Sequence, residues 1–378
     1  MRLTGPELTG PELTGPGLTG PGLIGFELRR VLLPLVAPFR TSFGTETVRE
    51  ALLVAAHTPA GTGWGECVAM TEPRYSSEYL DGAAEVIRRF LLPAVAALPS
   101  VSAVAVEQAF RPVRGHPMAR AAVHTAVLDA QLRTAGMSLS GYLGGSRDRV
   151  DVGVSVGIMG SVAELLDTVA GYLDAGYPRI KLKIEPGWDL VPVRAVREHF
   201  GDALMLQVDA NAAYTMADAR QLARLDPFDL LLIEQPLAED DLAGHATLAT
   251  RLRTPICLDE SITSARVAAA AVTCGAAAVV NIKPGRVGGY LEARRIHDVC
   301  AAHGVPVWVG GMLETGLGRA ANLALAALPN CVLPGDISGS DRYFQRDITE
   351  PFVVTGGQLP VPAGPGIGVD PDPAALAA

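Results

Sequence analysis

Five ionisable side chains recur along the second half of the sequence at nearly constant spacing. They are Lys183, Asp209, Glu234, Asp259 and Lys283, and the intervals between them are 26, 25, 25 and 24 residues. Each lies at the end of a short apolar run of the kind that forms strands, as in "LMLQVDAN" and "ICLDES". Such regular spacing indicates equivalent positions in successive structural units. We therefore expect three carboxylates and two ammonium groups to converge.

The three carboxylates limit the chemistry that this cluster could perform. Three acids in a small volume repel one another, and a divalent cation relieves the repulsion. An all-oxygen ligand set without His or Cys suits Mg²⁺, with Mn²⁺ as the alternative ion. A buried network of ion pairs between the acids and the lysines is the competing hypothesis. The ligand chemistry favours the metal.

Lysines complete the cluster. Lys181 and Lys183 share one face of the stretch "RIKLKIEPGWD". A solvated strand edge would explain such a face, but the spacing to the acids favours a position beside them. A lysine crowded by another cation has a lowered pKa and can act as a general base. Metal and lysine together are suited to removing a proton α to a carboxylate.

Strand and helix patterns alternate along the same region. Eight apolar runs begin 23 to 29 residues apart, separated by Ala- and Arg-rich segments with helical spacing. The runs cover residues 150–156, 179–184, 204–208, 230–233, 255–258, 278–282, 306–309 and 331–333. Eight such units predict a closed (β/α) barrel, whose active site lies at the carboxyl ends of the strands. Strands two to six would each supply one of the five charged groups.

The rest of the chain predicts further units. Residues 25–135 combine antiparallel strand patterns with helical patterns, which indicates an α+β domain that caps the mouth of the barrel. The barrel domain would cover residues 136–340, and residues 341–378 would return to the capping domain. Residues 1–24 contain a five-residue Gly-Pro repeat that breaks helices and strands. We expect a low-complexity flexible tail there.

Composition narrows the class of protein. Lys plus Arg total 31 and Asp plus Glu total 40, so the formal charge is −9, which argues against a nucleic-acid partner. No apolar run approaches the length of a membrane span. The five cysteines are dispersed without a C-x-x-C pair. Reduced thiols of this kind are typical of a cytoplasmic protein.

Taken together, the motifs resemble the enolase superfamily, in the group with K-x-K on strand two and a lysine on strand six. The stretches that carry the resemblance are "IKLKIEPGWD", "QVDANAAYT", "LLIEQPLAEDD", "ICLDESI", "VNIKPGRVGGYLEARR", "VWVGGMLETGLGRAAN" and "LPGDISGSDRY". They are similar to those of o-succinylbenzoate synthases that also act as N-acylamino acid racemases, over residues 25–368. The resemblance implies an enolase-type modified (β/α) TIM barrel with an N-terminal α+β capping domain. Loops 37–43 and 71–79 would close over a small-molecule carboxylate substrate, and the protein would be a homo-oligomer.

The resemblance also implies residue roles. Asp209, Glu234 and Asp259 would be the metal ligands, and Lys183 and Lys283 the catalytic bases. The other candidates, for contact with the substrate or for tuning the bases, are Lys181, Asn211, Ser155, Arg286, Gly311 and Met312.

Two related activities fit these motifs, because both begin with removal of an α-proton. The leading interpretation is dehydration of 2-succinyl-6-hydroxy-2,4-cyclohexadiene-1-carboxylate to o-succinylbenzoate in menaquinone biosynthesis. The alternative is racemisation of N-acyl, especially N-succinyl, amino acids, with both activities in one enzyme as a further option. A dipeptide epimerase is disfavoured because "GDISGSD" lacks the Asp-x-Asp of that family. A non-catalytic binding barrel is disfavoured because all three acids and both lysines are present.

Overall fold

The computed structural model describes residues 8–9 and 22–376. Most of the tail predicted for residues 1–24 therefore lies outside the described residues. Where this segment is described, the backbone at Leu8 pairs with Leu28 in an antiparallel bridge. Leu23 is already buried, with 4% of its surface exposed, so the packed part of the chain extends at least to that residue.

An antiparallel sheet packed on helices forms the first part of the fold. Its strands are β1 (Leu8–Thr9), β2 (Gly25–Thr41), β3 (Gly44–Thr58) and β4 (Gly61–Cys67). Its helices are α1 (Leu80–Val86), α2 (Leu92–Ala96), α3 (Ala103–Ala109) and α4 (Pro117–Ala135), with a π-helical turn at Ile87–Leu91. The middle of β3 is apolar without alternation because both of its faces are buried. Leu52 and Val54 pack with the capping helices, whereas Ala51 and Leu53 pack with the barrel core.

A parallel sheet forms the second part. Its strands are β6 (Gly153–Val156), β7 (Arg179–Lys183), β8 (Met205–Asp209), β9 (Ile233–Glu234), β10 (Ile256–Leu258), β11 (Val279–Ile282) and β12 (Val307–Val309). The antiparallel pair beside it is β5 (Arg149–Asp151) and β13 (Gln358–Pro360). The helices are α5 (Leu139–Leu143), α6 (Val162–Asp174), α7 (Leu190–Phe200), α8 (Ala219–Leu222), α9 (Leu242–Ala249), α10 (Ala265–Thr273), α11 (Pro284–Val287), α12 (Tyr290–Ala302), α13 (Gly316–Ala326) and α14 (Pro373–Leu376). Short 3₁₀ turns lie at Met216–Asp218, Ala223–Phe228 and Ser340–Arg342.

The parallel sheet departs from the predicted eight strands at both ends. The first predicted strand, residues 150–156, is split: β5 pairs antiparallel with β13, and β6 alone joins the parallel sheet. The eighth predicted strand, residues 331–333, forms no ladder among the described residues. Single bridges instead join Cys331 to Val307 and Gly335 to Val152. Pro334 has no N–H to donate to a continuous ladder, which explains the interruption.

The C-terminal segment packs against α4 of the capping part. Asp129 on α4 accepts a hydrogen bond from the backbone N–H of Ile367 at 2.7 Å, and Arg133 donates to the carbonyl of Val369 at 2.7 Å. These bonds join elements that are far apart in the chain. The domain boundaries predicted from the sequence stay a prediction. None of the helices within residues 22–376 is long and apolar enough to cross a membrane.

Close backbone contact holds β4 against α4. A Cβ added at Gly65 would lie 2.0 Å from the carbonyl oxygen of Ala122, and one added at Gly63 would lie 2.3 Å from that of Ala126. The strand can approach the helix this closely only because neither residue has a side chain. Gly171 on α6 differs, because a Cβ there would meet nothing within 4 Å.

We predict that Gly65→Ala lowers the free energy of unfolding by about 3 kcal/mol, because the added methyl group overlaps the backbone of α4. The matched variant Gly171→Ala should raise it by about 0.5–1 kcal/mol, because alanine favours the helix over glycine. Urea unfolding of both variants measures the two effects. If Gly65→Ala leaves the free energy of unfolding unchanged, β4 and α4 are less closely packed than described.

Candidate active site

Five charged side chains meet at the carboxyl ends of neighbouring parallel strands. Lys183, Asp209 and Glu234 end β7, β8 and β9, and Asp259 and Lys283 directly follow β10 and β11. Asp209 is the register partner of both Lys183 and Glu234, so these three lie side by side. All five are buried, with 0–7% of their surface exposed. The structure thus brings the predicted cluster together inside the barrel.

Lys181 lies at the centre of the acids. Its ammonium group is 3.0 Å from Asp209 and 2.9 Å from Glu234, and it also contacts Asp336. Below it on β7, Arg179 donates to Asp336 at 2.7 Å. One face of this strand therefore places three cations in a row into the barrel, and the row is neutralised by carboxylates from three other segments.

Lys183 occupies one side of the cluster. Its ammonium group donates to Asp209 and to the side-chain oxygen of Asn211, both at 2.6 Å. The amide nitrogen of Asn211 donates in turn to Glu260 at 2.9 Å. Asn211 has a left-handed backbone, with φ of 42°, a conformation that Asn adopts more readily than most residues.

Lys283 occupies the other side. It lies 2.7 Å from Asp259 and donates to the hydroxyl of Tyr75 at 3.1 Å. Arg286 also contacts this acid, donating to Asp259 at 3.0 Å and to the backbone carbonyl of Glu260 at 2.5 Å. The predicted tuning residue Arg286 therefore acts on the carboxylate that faces Lys283.

Electrostatic effects on the lysines run opposite to the sequence-based expectation. Burial alone would lower the pKa of Lys283, but Asp259, Tyr75 and Glu260 raise it well above its ordinary value. Burial is likewise outweighed at Lys181, whose pKa rises well above its usual range beside the carboxylates. The lowered pKa expected of a catalytic base is therefore not found at Lys283 in this conformation, because its ammonium group contacts an acid, as that of Lys181 does.

The acids differ from one another. Burial would raise the pKa of Asp209, but Lys183 and Lys181 hold it below its ordinary value. Burial and the charge of Asp209 raise the pKa of Glu234 well above its usual range, because Glu234 shares Lys181 with other carboxylates. Burial and Asp259 raise the pKa of Glu260 to about 7. The raised pKa values of Glu234 and Glu260 indicate that the neighbouring cations do not fully offset the burial and the mutual repulsion of these acids.

The donor set fits a divalent cation. Asp209, Glu234 and Asp259 offer only carboxylate oxygens, are buried, and come from consecutive strands. No group of three or more His, Cys, Asp or Glu side chains in the described part of the chain is arranged to enclose an ion. Lys183 and Lys283 draw two of the acids toward themselves. Each lysine contacts one oxygen of its carboxylate, so an ion that bound this same oxygen would compete with the ammonium group.

A cavity with about 550 Å³ of free space, part of it open to solvent, lies above the cluster. Of the predicted residues, Ser155, Lys181, Lys183, Asn211, Lys283, Gly311 and Met312 line it, whereas Asp209, Glu234, Asp259 and Arg286 do not. The side-chain oxygen of Ser155 has no hydrogen-bond partner among residues 22–376. Gly311 allows the chain to pass Asp336, because a Cβ there would lie 2.5 Å from its carbonyl oxygen.

Both segments predicted as loops reach this cavity, but residues 37–41 form the end of β2 and only residues 42–43 form the turn to β3. Phe39, Thr41 and Phe43 come from loop 37–43, and Tyr75 comes from loop 71–79. The rings of Phe43 and Tyr75 lie 5.2 Å apart and bring the two loops together.

Sequence reasoning missed several residues of the site. Asp336 and Tyr343 line the cavity, and Glu260 lies behind Asn211. One signal for further acids was available: Arg179 has the same strand parity as Lys181 and Lys183, so more cations than expected needed neutralisation. Tyr343 carried no such signal, because its position depends on the path of the chain after the eighth segment.

Two family models match the chain. "Enolase C-terminal domain-like" matches residues 164–375, and "Mandelate racemase / muconate lactonizing enzyme, N-terminal domain" matches residues 24–144. The chain belongs to the enolase superfamily, whose members are metal-dependent enzymes acting on small molecules. The predicted enolase-type fold with its capping domain is confirmed.

Close relatives carry the names of two activities. An N-succinylamino acid racemase from an Amycolatopsis species is 66% identical over 93% of this chain and 96% of its own. An o-succinylbenzoate synthase from Geobacillus kaustophilus is 48% identical over 91% of this chain and 92% of its own. A crystal structure of an enolase-superfamily member from Listeria innocua Clip11262 superimposes with a TM-score of 0.90 at 40% identity, covering 94% of this chain and 96% of that one.

We predict that Asp336→Asn lowers the free energy of unfolding by about 3 kcal/mol at pH 7, because Arg179 and Lys181 stay buried with less negative charge around them. The matched variant Asp298→Asn breaks an exposed pair with Arg294 and should cost less than about 1 kcal/mol. Urea unfolding measures both changes.

The loss of stability caused by Asp336→Asn should depend on pH. Burial would raise the pKa of Asp336, but Lys181 and Arg179 hold it below its ordinary value. A carboxyl group with a lowered pKa stabilises the fold above its unfolded pKa of about 4 and loses that effect as the pH falls. The difference between wild type and variant should therefore shrink below about pH 4. A constant difference would contradict the ion-pair origin.

Proposed function

We propose that this chain removes the proton α to a carboxylate, and that one site serves as o-succinylbenzoate synthase and as N-succinylamino acid racemase. The observation that carries the proposal is the pair Lys183 and Lys283, which line one cavity from β7 and from the end of β11. The acids Asp209, Glu234 and Asp259 lie buried between them. The names of the relatives at 66% and 48% identity support both activities.

Asp209, Glu234 and Asp259 would hold Mg²⁺, with Mn²⁺ as the alternative. When bound, the cation supplies positive charge to the oxygens of the substrate carboxylate. Contact with Asp259 holds the pKa of Lys283 high in the structure described. A cation held by Asp259 would offset the charge of that carboxylate and favour the neutral amine that accepts a proton.

Racemisation uses both lysines. A neutral lysine amine takes the α-proton from one face of the N-succinylamino acid, and the electron pair of the C–H bond moves into the carboxylate as an enediolate. The ammonium group of the opposite lysine then returns a proton to the other face. Lys183 and Lys283 contact acids on different strands, Asp209 and Asp259, which supports the assignment of one lysine to each face.

Dehydration uses one base. Lys183 takes the proton from the carbon that bears the carboxylate, and the electron pair of that C–H bond moves into the carboxylate as an enediolate. The electron pair then returns to form the new ring double bond as the neighbouring C–O bond breaks. The Lys183 ammonium group gives its proton to the departing hydroxide, which leaves as water, and the ring becomes aromatic. Lys283 stays protonated and places positive charge beside the developing enediolate.

Two other functions are less well supported. A dipeptide epimerase would need a free carboxylate for the ammonium group of its substrate, but Asp336 is already paired with Arg179 and Lys181. A non-catalytic binding barrel would not need both lysines in the cavity. A cytoplasmic location, a role in menaquinone biosynthesis and a homo-oligomeric state stay predictions from the sequence.

We predict that chelation abolishes turnover and that Mg²⁺ or Mn²⁺ restores it. Asp209→Ala, Glu234→Ala and Asp259→Ala should each weaken Mg²⁺ binding about 100-fold or more, because each removes a charge and a ligand together. Isothermal titration calorimetry with Mg²⁺ gives a readout independent of activity, and Asp298→Ala is the matched surface control. If one of these three variants retains the wild-type affinity for Mg²⁺, the residue changed in it is not a metal ligand.

We predict that Lys183→Ala and Lys283→Ala each lower racemisation by about 10³-fold, within the range of a lost general acid or base. Each variant should still exchange the α-proton of one enantiomer of an N-succinylamino acid, and the two variants should differ in which enantiomer they exchange. Proton NMR in D₂O follows this exchange. Dehydration should fall furthest in Lys183→Ala. Racemisation at the wild-type rate in either variant would contradict the assignment to two faces, and Lys181 would then be the next lysine to test.

A further inference from the structure

Glu260 lies beside the reacting groups without lining the cavity. It is 5% exposed, and its Oε1 accepts a hydrogen bond from the side-chain nitrogen of Asn211 at 2.9 Å. The side-chain oxygen of the same Asn211 accepts from Lys183 at 2.6 Å. A continuous chain of hydrogen bonds therefore runs from Glu260 through one carboxamide to Lys183.

The backbone around Glu260 is held firmly. Its carbonyl accepts a hydrogen bond from Arg286 at 2.5 Å. The residues on either side, Asp259 and Ser261, both donate their backbone N–H groups to the side-chain oxygen of Gln235, at 3.0 and 3.1 Å. Three buried bonds thus fix the backbone from which the Glu260 side chain projects, which suits a group that orients another.

The carboxamide of Asn211 has a donor end and an acceptor end, and its neighbours distinguish them. The ammonium group of Lys183 only donates, so it requires the oxygen of the amide. Glu260 takes the nitrogen end. Without an acceptor at residue 260, the amide could rotate by half a turn and direct its NH₂ group at Lys183, which would push the base out of position.

We propose that Glu260 is a positioning residue: it orients the Asn211 carboxamide, and through it holds the Lys183 nitrogen in place for proton transfer at one face of the substrate. The inference rests on the proposed function, since it takes Lys183 as one of the two bases. Glu260 touches neither Lys183 nor the cavity, and its effect passes through Asn211.

The test measures α-proton exchange in D₂O for each enantiomer of N-succinylphenylalanine, with Mg²⁺ saturating. Glu260→Leu should slow α-proton exchange of the enantiomer that reacts with Lys183 about tenfold more than exchange of the other enantiomer. This is the size of effect expected from one lost buried hydrogen bond. Glu260→Gln keeps an acceptor oxygen and should lose less than about threefold. Adding Glu260→Leu to Asn211→Ala should cause no further loss, because both changes break the same chain.

A second pair of variants tests the chain without deleting a side chain. Asn211→Asp places two carboxyl groups face to face and should slow the exchange served by Lys183 about tenfold or more. The double variant Asn211→Asp/Glu260→Gln restores one donor and one acceptor. It should recover to within about threefold of Glu260→Gln alone.

Three results would overturn the inference: equal slowing of both enantiomers in Glu260→Leu, additive losses in the double variant with Asn211→Ala, or a fall in Mg²⁺ affinity as large as the fall in rate. Failure of the proposed function has a different signature. In that case Lys183→Ala and Lys283→Ala would not differ in the enantiomer that they exchange. If those two differ while the Glu260 variants slow both enantiomers alike, only the role of Glu260 is wrong.

Discussion

Charge balance inside the barrel is the constraint on which the rest of the structure depends. Five cationic side chains and five carboxyl groups are buried there, each less than 9% exposed. The cations are Arg179, Lys181, Lys183, Lys283 and Arg286, and the acids are Asp209, Glu234, Asp259, Glu260 and Asp336. Charges persist in an interior only when they are paired or coordinated. A divalent cation held by the acids would add two positive charges to this set. It would thereby lower the pKa of the neighbouring lysines and favour the neutral amine that removes a proton.

The capping part of the chain covers the cavity at the carboxyl ends of the barrel strands. Tyr75 reaches from loop 71–79 to Lys283, and Phe43 packs on Tyr75. Behind them, Glu66 on β4 accepts hydrogen bonds from Thr315 at the start of α13, and Leu53 on β3 packs with the barrel core. These contacts tie the cover to the barrel. A reacting carboxylate would therefore lie between a rigid charged floor and an aromatic cover. Such a site limits the access of water and strengthens its electrostatic interactions.

Much of the site could be predicted from the sequence because it depends on local patterns. An apolar run followed by one charged residue, repeated five times at intervals of 24 to 26 residues, indicates strand ends at one level of a barrel. The predicted cluster of Lys183, Asp209, Glu234, Asp259 and Lys283 is found in one place for that reason. Strand parity also placed Lys181 beside the acids, where it contacts Asp209 and Glu234.

The sequence by itself thus determined the repeating unit and the residues at its strand ends, whereas tertiary packing decided how the barrel closes and how its charges pair. The division of the first strand depends on β13, about 200 residues away. Asp336 reaches Lys181 because Gly335 and Asp336 bond to Gly153 and Val309, at the two ends of the parallel sheet. The raised pKa of Lys283 likewise follows from its contact with Asp259. Pairings of this kind join residues distant in the chain, so they depend on three-dimensional packing that no local pattern contains.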